Sequence, residues 1–207
     1  GRIGANDHLT VGTLIKAVAD KDLTVRRDAV TALGRVEFAA DDAVQALAGA
    51  LSDVDRETRS RAAAALATMP PDSQAAVPQL IRAVRDSAPE VRCRAASTLG
   101  AIGHVAREAI PVLIAALRDD DSDVRWKASA ALGQMGVAAV PGLAAALLDR
   151  DAEVRRCAAE SLDRLGSLAR DAARTLTSAL RDEDVVVRRS AASALGRIAE
   201  SSPEIVR

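Results

Sequence analysis

The residues of this sequence that could do chemistry are charged pairs that recur at a regular interval. A Val-Arg dipeptide, with Thr in place of Val once, is repeated along the chain, and an aspartate precedes each copy by five positions. The steps between copies are 33, 33, 33, 30 and 33 residues. Arginine and carboxylate groups form strong charge-assisted hydrogen bonds, so we predict a structural ladder that links neighbouring repeats. Its members are Asp20, Arg26, Asp53, Arg59, Asp86, Arg92, Asp119, Arg125, Asp149, Arg155, Asp182 and Arg188.

Catalytic chemistry has little support in the sequence. Only two histidines and two cysteines are present, and Cys93 and Cys157 have neither the spacing of a zinc site nor the number needed for a disulfide framework. The glycines do not form a phosphate-binding loop, because they recur about once per repeat. We therefore predict a protein that is not an enzyme, with no catalytic residue, no metal site and no cofactor.

The composition narrows the class of protein further. Hydrophobic residues make up 49% of the chain, yet it has one Trp, one Phe and no Tyr. Abundant Ala and Leu with few aromatic residues favour closely packed helices over a β-sandwich. The 28 basic and 29 acidic residues give a net charge of −1, whereas nucleic-acid binders usually carry a basic surplus. No long apolar run suggests a membrane span. We expect neither a nucleic-acid nor a membrane partner, and a bacterial, cytoplasmic location.

Each repeat predicts two helices joined by a tight turn. In the third copy, Val91, Ala95, Leu99 and Ile102 have the spacing of one buried helical stripe. A second apolar segment precedes each aspartate, and three of these segments carry a proline near their start, where a helix tolerates a missing N–H. One hairpin cannot bury its own apolar face, so the hairpins must stack. Glycines near the end of the Val-Arg helix are expected to finish it: Gly34, Gly100, Gly133 and Gly196.

The repeated phrase has a known counterpart. An Asp, four residues, Val-Arg and then a segment such as AASTLGAIG, preceded by a proline eight residues before the Asp, resembles the HEAT repeat, and more narrowly the HEAT-like repeats of phycobilisome-lyase-type proteins. The resemblance implies an all-α, armadillo-like fold, a right-handed α-α superhelix (HEAT-like solenoid) of six helical-hairpin repeats, with the Val-Arg helices on its concave side. It implies a single domain, 1–207, with repeats at about 7–36, 40–69, 73–103, 106–136, 138–166 and 169–199, and 200–207 as the start of a truncated further helix.

The concave face implied by this resemblance is the predicted binding site. Residues just after each Val-Arg pair, and those four positions further on, lie opposite the buried stripe. They place one large aromatic side chain among small ones, with arginines toward both ends, and Trp and Arg are frequent binding hot spots. The alternatives are that Trp126 fills space against its neighbours and that the arginines are solvated surface. The predicted partner-binding residues are Trp126, Cys93, Ser97, Ala130, Arg27, Arg156 and Arg189.

The sequence therefore favours a non-catalytic protein–protein interaction scaffold that binds a protein or peptide on its concave face. Two other functions stay open: a bilin chromophore lyase-type subunit, which the resemblance suggests, and a nucleic-acid-binding helical-repeat protein. The final segment, SSPEIVR, aligns with the start of another first helix, so the last repeat lacks a polar cap. We expect that this end either continues in a longer protein or allows self-association of the chain.

Overall fold

The structure is a computed structural model that describes residues 5–36, 41–69 and 71–200. Within these ranges the chain forms twelve α-helices and no strand, which confirms the predicted all-α fold. In chain order the helices are α1 Ala5–Ala17, α2 Leu23–Leu33, α3 Asp41–Ala50, α4 Arg56–Thr68, α5 Val77–Ala83, α6 Pro89–Ile102, α7 Ile110–Ala116, α8 Ser122–Gln134, α9 Val140–Ala146, α10 Ala152–Leu165, α11 Ala173–Ala179 and α12 Val185–Glu200.

The helices pair into hairpins, each made of an odd-numbered first helix and the even-numbered second helix that follows it. Residues 1–102 and 103–207 form two compact units, and each unit contains three hairpins. In the first unit α2 and α6 pack on either side of α4, and in the second α8 and α12 pack on either side of α10. The predicted stacking of helical hairpins is therefore present in each unit. The single-domain boundary 1–207 stays a prediction, and most of the predicted further helix, 201–207, lies outside the described residues.

The core of each unit is built from one aliphatic stripe per helix. The leucine that ends the repeated phrase is buried in every hairpin but the last, at Leu33, Leu66, Leu99, Leu132 and Leu162. Alanines beside it let the second helices approach closely. At Gly34 the approach is closest, since a Cβ atom there would lie 2.7 Å from the Cβ of Ala65. Small residues at this interface are thus a requirement of helix packing.

The second helices begin at a set of aspartates that the sequence analysis did not single out. These residues lie two positions after the aspartates of the predicted ladder, and their carboxylates accept hydrogen bonds from the first free backbone N–H groups of the helix, the usual role of an N-cap. The bonds from Thr24 N and Val25 N to Asp22 Oδ1 measure 2.7 and 3.1 Å. The aspartates that cap a second helix in this way are Asp22, Asp55, Asp121, Asp151 and Asp184.

The glycines that end the second helices are different from those predicted. Gly103, Gly136 and Gly166 have φ angles of +68°, +69° and +57°, which only glycine adopts without strain. Of the predicted helix-ending glycines, Gly34 follows α2, whereas those at positions 100, 133 and 196 lie inside α6, α8 and α12. The prediction was wrong for these three: after positions 100 and 133 the left-handed residue that ends the helix comes three residues later, and α12 continues past position 196 to Glu200.

A 3-10 turn joins each of these glycines to the next first helix, and its length explains the one short step in the repeat. The turns Gly103–Ala109 and Gly166–Ala172 have seven residues, whereas Gly136–Ala139 has four. The three missing residues of the 30-residue step are therefore taken from this turn, and the helices on either side keep their full length.

One stretch has the length and apolar character of a membrane span. Residues 89–116 have a mean hydropathy of 1.4 in their most apolar window. They do not form one straight helix, because the backbone turns at Gly103 (φ +68°) and is non-helical again at Ala106. The stretch comprises α6, a 3-10 turn and α7, and both helices bury one side in a hairpin.

Candidate functional site

The predicted ladder residues have the same local geometry in all six hairpins. Each aspartate accepts a hydrogen bond from the backbone N–H two residues later, such as Asp22 N to Asp20 Oδ1 at 2.8 Å. Each arginine donates from Nη1 to the carbonyl oxygens of its own turn, as Arg26 does to Asp20 O and Lys21 O at 3.1 and 3.2 Å. The corresponding donors in the other hairpins are Arg59, Arg92, Arg125, Arg155 and Arg188. We call this set of turn bonds and the links between hairpins the turn ladder.

Arginines of the turn ladder also reach the next hairpin. Arg26 donates from Nε and Nη2 to the two carboxylate oxygens of Asp53, at 2.8 and 3.2 Å. The bonds from Arg59 to Asp86 measure 2.7 and 2.8 Å. Arg155 binds Asp182 in the same way, at 2.8 and 3.1 Å. The planar guanidinium is bonded to its own turn through Nη1 and to the next hairpin through Nε and Nη2. It therefore fixes the position of one turn against the next.

The turn ladder changes at the short step of the repeat. Asp149 is held by Nη2 of Arg118, which lies at the end of the preceding first helix. Arg125 donates to the carbonyl oxygens of its own turn, Asp119 O and Asp120 O. Because three residues are missing before α9, Asp149 lies only 24 positions after Arg125, whereas Asp53 lies 27 positions after Arg26. This difference in spacing explains why Asp149 is bound by Arg118.

A second set of ion pairs joins hairpins at the helix caps. Arg27 donates to both oxygens of Asp55, at 2.9 and 2.7 Å. Arg156 binds Asp184 through Nε at 2.8 Å and through Nη2. We call these two the cap pairs. Arg27 and Arg156 are two of the predicted partner-binding residues. Their guanidinium groups bind the N-cap aspartate of the next hairpin, and their contact with a partner stays a prediction.

The cap pairs shift the titration of both aspartates. The Arg27 guanidinium, together with the backbone N–H of Thr58, holds the pKa of the Asp55 carboxyl well below its usual range. Arg156 and the N–H groups of Val186 and Val187 do the same for the pKa of Asp184. Both carboxylates are therefore charged acceptors throughout the neutral and mildly acidic range.

Trp126 occupies the position of α8 that Arg27 occupies on α2 and Arg156 on α10. Its side chain is 53% exposed, so it is not packed as a space-filling core residue. The Nζ atom of Lys127 lies 4.6 Å from the centre of the indole ring, within cation–π distance. Ala130 is half-buried one turn further along the same helix. The N-cap of the next second helix, Asp151, is exposed and accepts a bond from Glu153 N at 2.9 Å.

The other predicted partner-binding residues fall in different parts of the chain. Cys93 and Ser97 are half-buried on α6, which belongs to the first unit, whereas Trp126 and Ala130 belong to the second. Arg189 is exposed on α12. The predicted site is therefore divided between the two units, and its largest side chain lies in the second.

A buried polar cluster between α8 and α10 is absent from the predicted site. The hydroxyl oxygens of Ser129 and Ser161 lie 2.7 Å apart, and Arg164 donates from Nη1 to Ser129 Oγ at 2.8 Å. Thr98 makes a similar link in the first unit, donating to Ala63 O at 2.7 Å. A signal existed in the sequence, since these hydroxyls occupy positions that other repeats fill mostly with alanine.

Within the part of the chain that the structure describes, reactive and metal-binding side chains lie apart from one another. Burial, together with the Glu160 carboxylate, raises the pKa of the Cys157 thiol to about 11, and a protonated thiol is a poor nucleophile. In residues 5–36, 41–69 and 71–200, no three His, Cys, Asp or Glu side chains come close enough to hold a metal ion. An open depression of about 390 Å³ is lined in part by Asp53, Arg59 and Asp86 of the turn ladder.

Solved structures with the same fold include proteins of several kinds. An engineered protein is 24% identical, covering 92% of this chain and 97% of its own, with a TM-score of 0.62. The complex of CpcE and CpcF of phycocyanin lyase from Nostoc sp. PCC7120 is 27% identical, with 96% of this chain and 80% of that chain covered and a TM-score of 0.58. Importin beta is 18% identical, with coverages of 97% and 31% and a TM-score of 0.71, and shows the fold alone.

Sequence comparison gives the family. No curated protein is a significant sequence match for this chain. The family model for HEAT repeats matches residues 2–67, 46–133, 77–163 and 140–205, which together span nearly the whole sequence. The repeated turn, the stacked hairpins and the helical-repeat neighbours agree with this match, and the chain belongs to the HEAT repeat family.

Proposed function

We propose that this chain is a non-catalytic scaffold that binds a protein or peptide through the exposed face of α8, centred on Trp126. One observation carries the proposal. At the same helix position Arg27 and Arg156 hold the next hairpin, whereas Trp126 is 53% exposed and is the only Trp in the sequence. An exposed indole at a position that serves the stack on α2 and α10 has a purpose outside the stack, and burying it on a partner is the favourable one.

The surroundings of Trp126 indicate the chemistry of the partner. Lys127 lies against the ring, and the small Ala130 leaves the surface along α8 open. Asp123 and Asp151 are exposed carboxylates in the same unit. A segment with an apolar side chain to cover the indole and a basic residue nearby satisfies both features. Protein partners are also a property of one relative: the CpcE–CpcF structure is a complex of two proteins.

The experiment uses Trp126 both as the site and as the probe. Peptides that lack Trp are selected from a displayed library on the full chain, and binding is then followed by the fluorescence of the only Trp. We expect selected peptides to shift the emission to the blue, because the indole is removed from water. Trp126→Ala should weaken binding about 30-fold, which corresponds to a hot spot of about 2 kcal/mol; because this variant has no Trp, its affinity is measured by isothermal titration calorimetry, beside the parent chain.

A matched control separates this site from general surface stickiness. Leu148 is an exposed apolar residue outside α8, and Leu148→Ala should leave peptide affinity within a factor of about two. If selected peptides leave the emission unchanged and bind the Trp126→Ala variant as tightly as the parent chain, the site on α8 is wrong.

A second function is favoured by one comparison. The similarity to the CpcE–CpcF complex of phycocyanin lyase suggests a lyase-type subunit that handles a bilin. The test is to mix the chain with a free bilin and record the visible absorbance, which changes when a tetrapyrrole is held in a fixed conformation. We expect no change, since a single exposed indole and the protonated Cys157 thiol give little to bind or attack a tetrapyrrole. A saturable spectral change would favour the lyase-type function.

A further inference from the structure

The first and last hairpins each expose an apolar residue whose counterparts in other hairpins are buried. Val25 is 41% exposed, whereas its counterparts Val91 and Val124 are 0% exposed. At the other end Leu180 is 39% exposed, whereas its counterpart Leu117 is 0% exposed. The cause is the stack itself, because within the described residues no hairpin packs on the side of α2 away from α4 or on the side of α12 away from α10. Each end therefore presents apolar surface that an adjacent hairpin would cover.

The first hairpin presents two aspartates without arginines from a preceding hairpin. Asp20 accepts a bond from Asp22 N, and Asp22 accepts bonds from Thr24 N and Val25 N, all within their own turn. In the second hairpin, Asp53 accepts from Asp55 N and Asp55 accepts from Thr58 N, and both also accept two hydrogen bonds from Arg26 or Arg27. The carboxylate oxygens on the outer side of the first turn are thus acceptors with unused capacity.

The last hairpin presents the complementary half. Arg188 donates from Nη1 to Asp182 O and Glu183 O, as every turn-ladder arginine does. In Arg26 and Arg155 the Nε and Nη2 donors bind an aspartate of the following hairpin, and no described residue supplies that aspartate for Arg188. Its neighbour Arg189 is exposed. Arg188 and Arg189 follow each other in the same order as Arg26 and Arg27. They are therefore placed to form one turn-ladder bond and one cap pair with the turn of another hairpin.

We infer that the last hairpin of one copy of this chain binds the first hairpin of a second copy, in the register that the hairpins already use within each unit. Arg188 binds Asp20 and Arg189 binds Asp22 of the other copy, which repeats the arrangement of Arg26–Asp53 and Arg27–Asp55. The same contact covers Val25 and Leu180. Because the two surfaces differ, the contact is head to tail. A pair of copies therefore still has one first hairpin and one last hairpin that are not in contact, and each can bind a further copy. The inference does not depend on the Trp126 site.

The first measurement is sedimentation of the full chain from micromolar to millimolar concentration at low ionic strength. A head-to-tail contact gives a weight-average mass that rises with concentration beyond twice the 21.5 kDa of one chain. Raising the salt concentration should reduce the association, since the contact contains two ion pairs. A mass that stays at one chain over the whole range overturns the inference.

Substitutions at the two ends test the register. The double variant Arg188→Glu, Arg189→Glu should stay at the mass of one chain, because like charges then face each other. Asp20→Asn with Asp22→Asn should do the same through loss of charge, while the amide still caps α2. Circular dichroism checks that both variants fold. Arg94→Glu, an exposed charge reversal on α6 away from either end, is the matched control and should associate like the parent chain.

Mixing the two double variants gives the sharpest outcome. One variant keeps Asp20 and Asp22, and the other keeps Arg188 and Arg189, so a mixture can form one unaltered contact. We expect the mixture to stop at twice the mass of one chain, since the remaining ends no longer match. If the arginine variant associates like the parent chain, or if the mixture stays at the mass of one chain while the parent associates, this register is wrong.

Discussion

Neighbouring arginines in this chain hold two different parts of the next hairpin. Arg26 binds Asp53, which organises the turn, and Arg27 binds Asp55, which caps the helix. A single dipeptide thus fixes both the position of the turn and the start of α4. At α8 the second of these residues is Trp126, so the cap pair is replaced by an exposed indole. The same helix position therefore holds a stacking arginine on α2 and an exposed aromatic residue on α8.

The pH dependence of stability follows from the cap pairs. The pKa of the Asp55 carboxyl in the folded chain lies below the value of 3.8 expected without these interactions, mainly because Arg27 donates to it. A lowered pKa stabilises the fold above the unfolded value, and that contribution is lost as the pH falls through the folded value. We expect Asp55→Asn to lower stability at neutral pH and to reduce the loss of stability that begins near pH 5 and continues below pH 3.

Urea unfolding at several pH values measures this effect. The control is Asp151→Asn, because Asp151 is also an N-cap but has Trp126 where Asp55 has Arg27. The amide keeps the cap in both variants, so the pH dependence of the control should change less. Equal changes in the two variants would mean that the cap pair does not contribute to the acid sensitivity of the fold.

The ends of the second helices depend on backbone conformation more than on side-chain packing. Gly136 has φ +69°, and no atom lies within 4 Å of the position that a Cβ would take. Gly196 also has open space around it but lies inside α12. We expect Gly136→Ala to destabilise the chain by about 1–2 kcal/mol, because the left-handed conformation strains any residue with a Cβ. Gly196→Ala should stabilise it by up to about 1 kcal/mol.

These two glycines form a matched pair for measurement by thermal unfolding. Both substitutions add one methyl group in open space, so any difference between them comes from the backbone. Opposite shifts of the midpoint support the argument. Shifts of the same sign would show that the conformation of Gly136 is not what ends α8.

Helices and hairpins could be predicted from the sequence because the apolar stripe and the turn aspartates recur in every repeat. The exact ends could not. A Leu-Gly pair recurs at the same position of four repeats and looks like a helix end, yet in two of these repeats the left-handed residue lies three positions later, at Gly103 and Gly136. Likewise the N-cap aspartates are only two positions from the ladder aspartates, and periodicity alone does not distinguish the two roles.

At the scale of the whole molecule, the family and the all-α fold follow from the period, whereas the bonds between hairpins do not. Arg27 and Asp55 are 28 positions apart, and that offset is visible only once α2 and α4 lie side by side. The predicted partner site therefore included Arg27 and Arg156, which the stack itself uses. It also included Trp126, whose exposure no sequence pattern could establish, because a lone aromatic residue suits a core as well as a surface.

Stability in such an array is local, because each hairpin packs mainly against its neighbours. Leu47 in α3 and Leu176 in α11 occupy the same position of the repeat and are both fully buried. Replacing either with alanine should cost about 2–5 kcal/mol in its own surroundings. We expect Leu47→Ala to accelerate amide exchange in the first unit, residues 1–102, far more than in α10 and α12, and Leu176→Ala to do the reverse.

Hydrogen exchange followed by mass spectrometry measures both patterns in one experiment, since it reports the free energy of opening segment by segment. The two variants serve as controls for each other. If both accelerate exchange equally along the entire chain, the two compact units unfold as one, and the chain behaves as a single cooperative domain in place of a nearest-neighbour array.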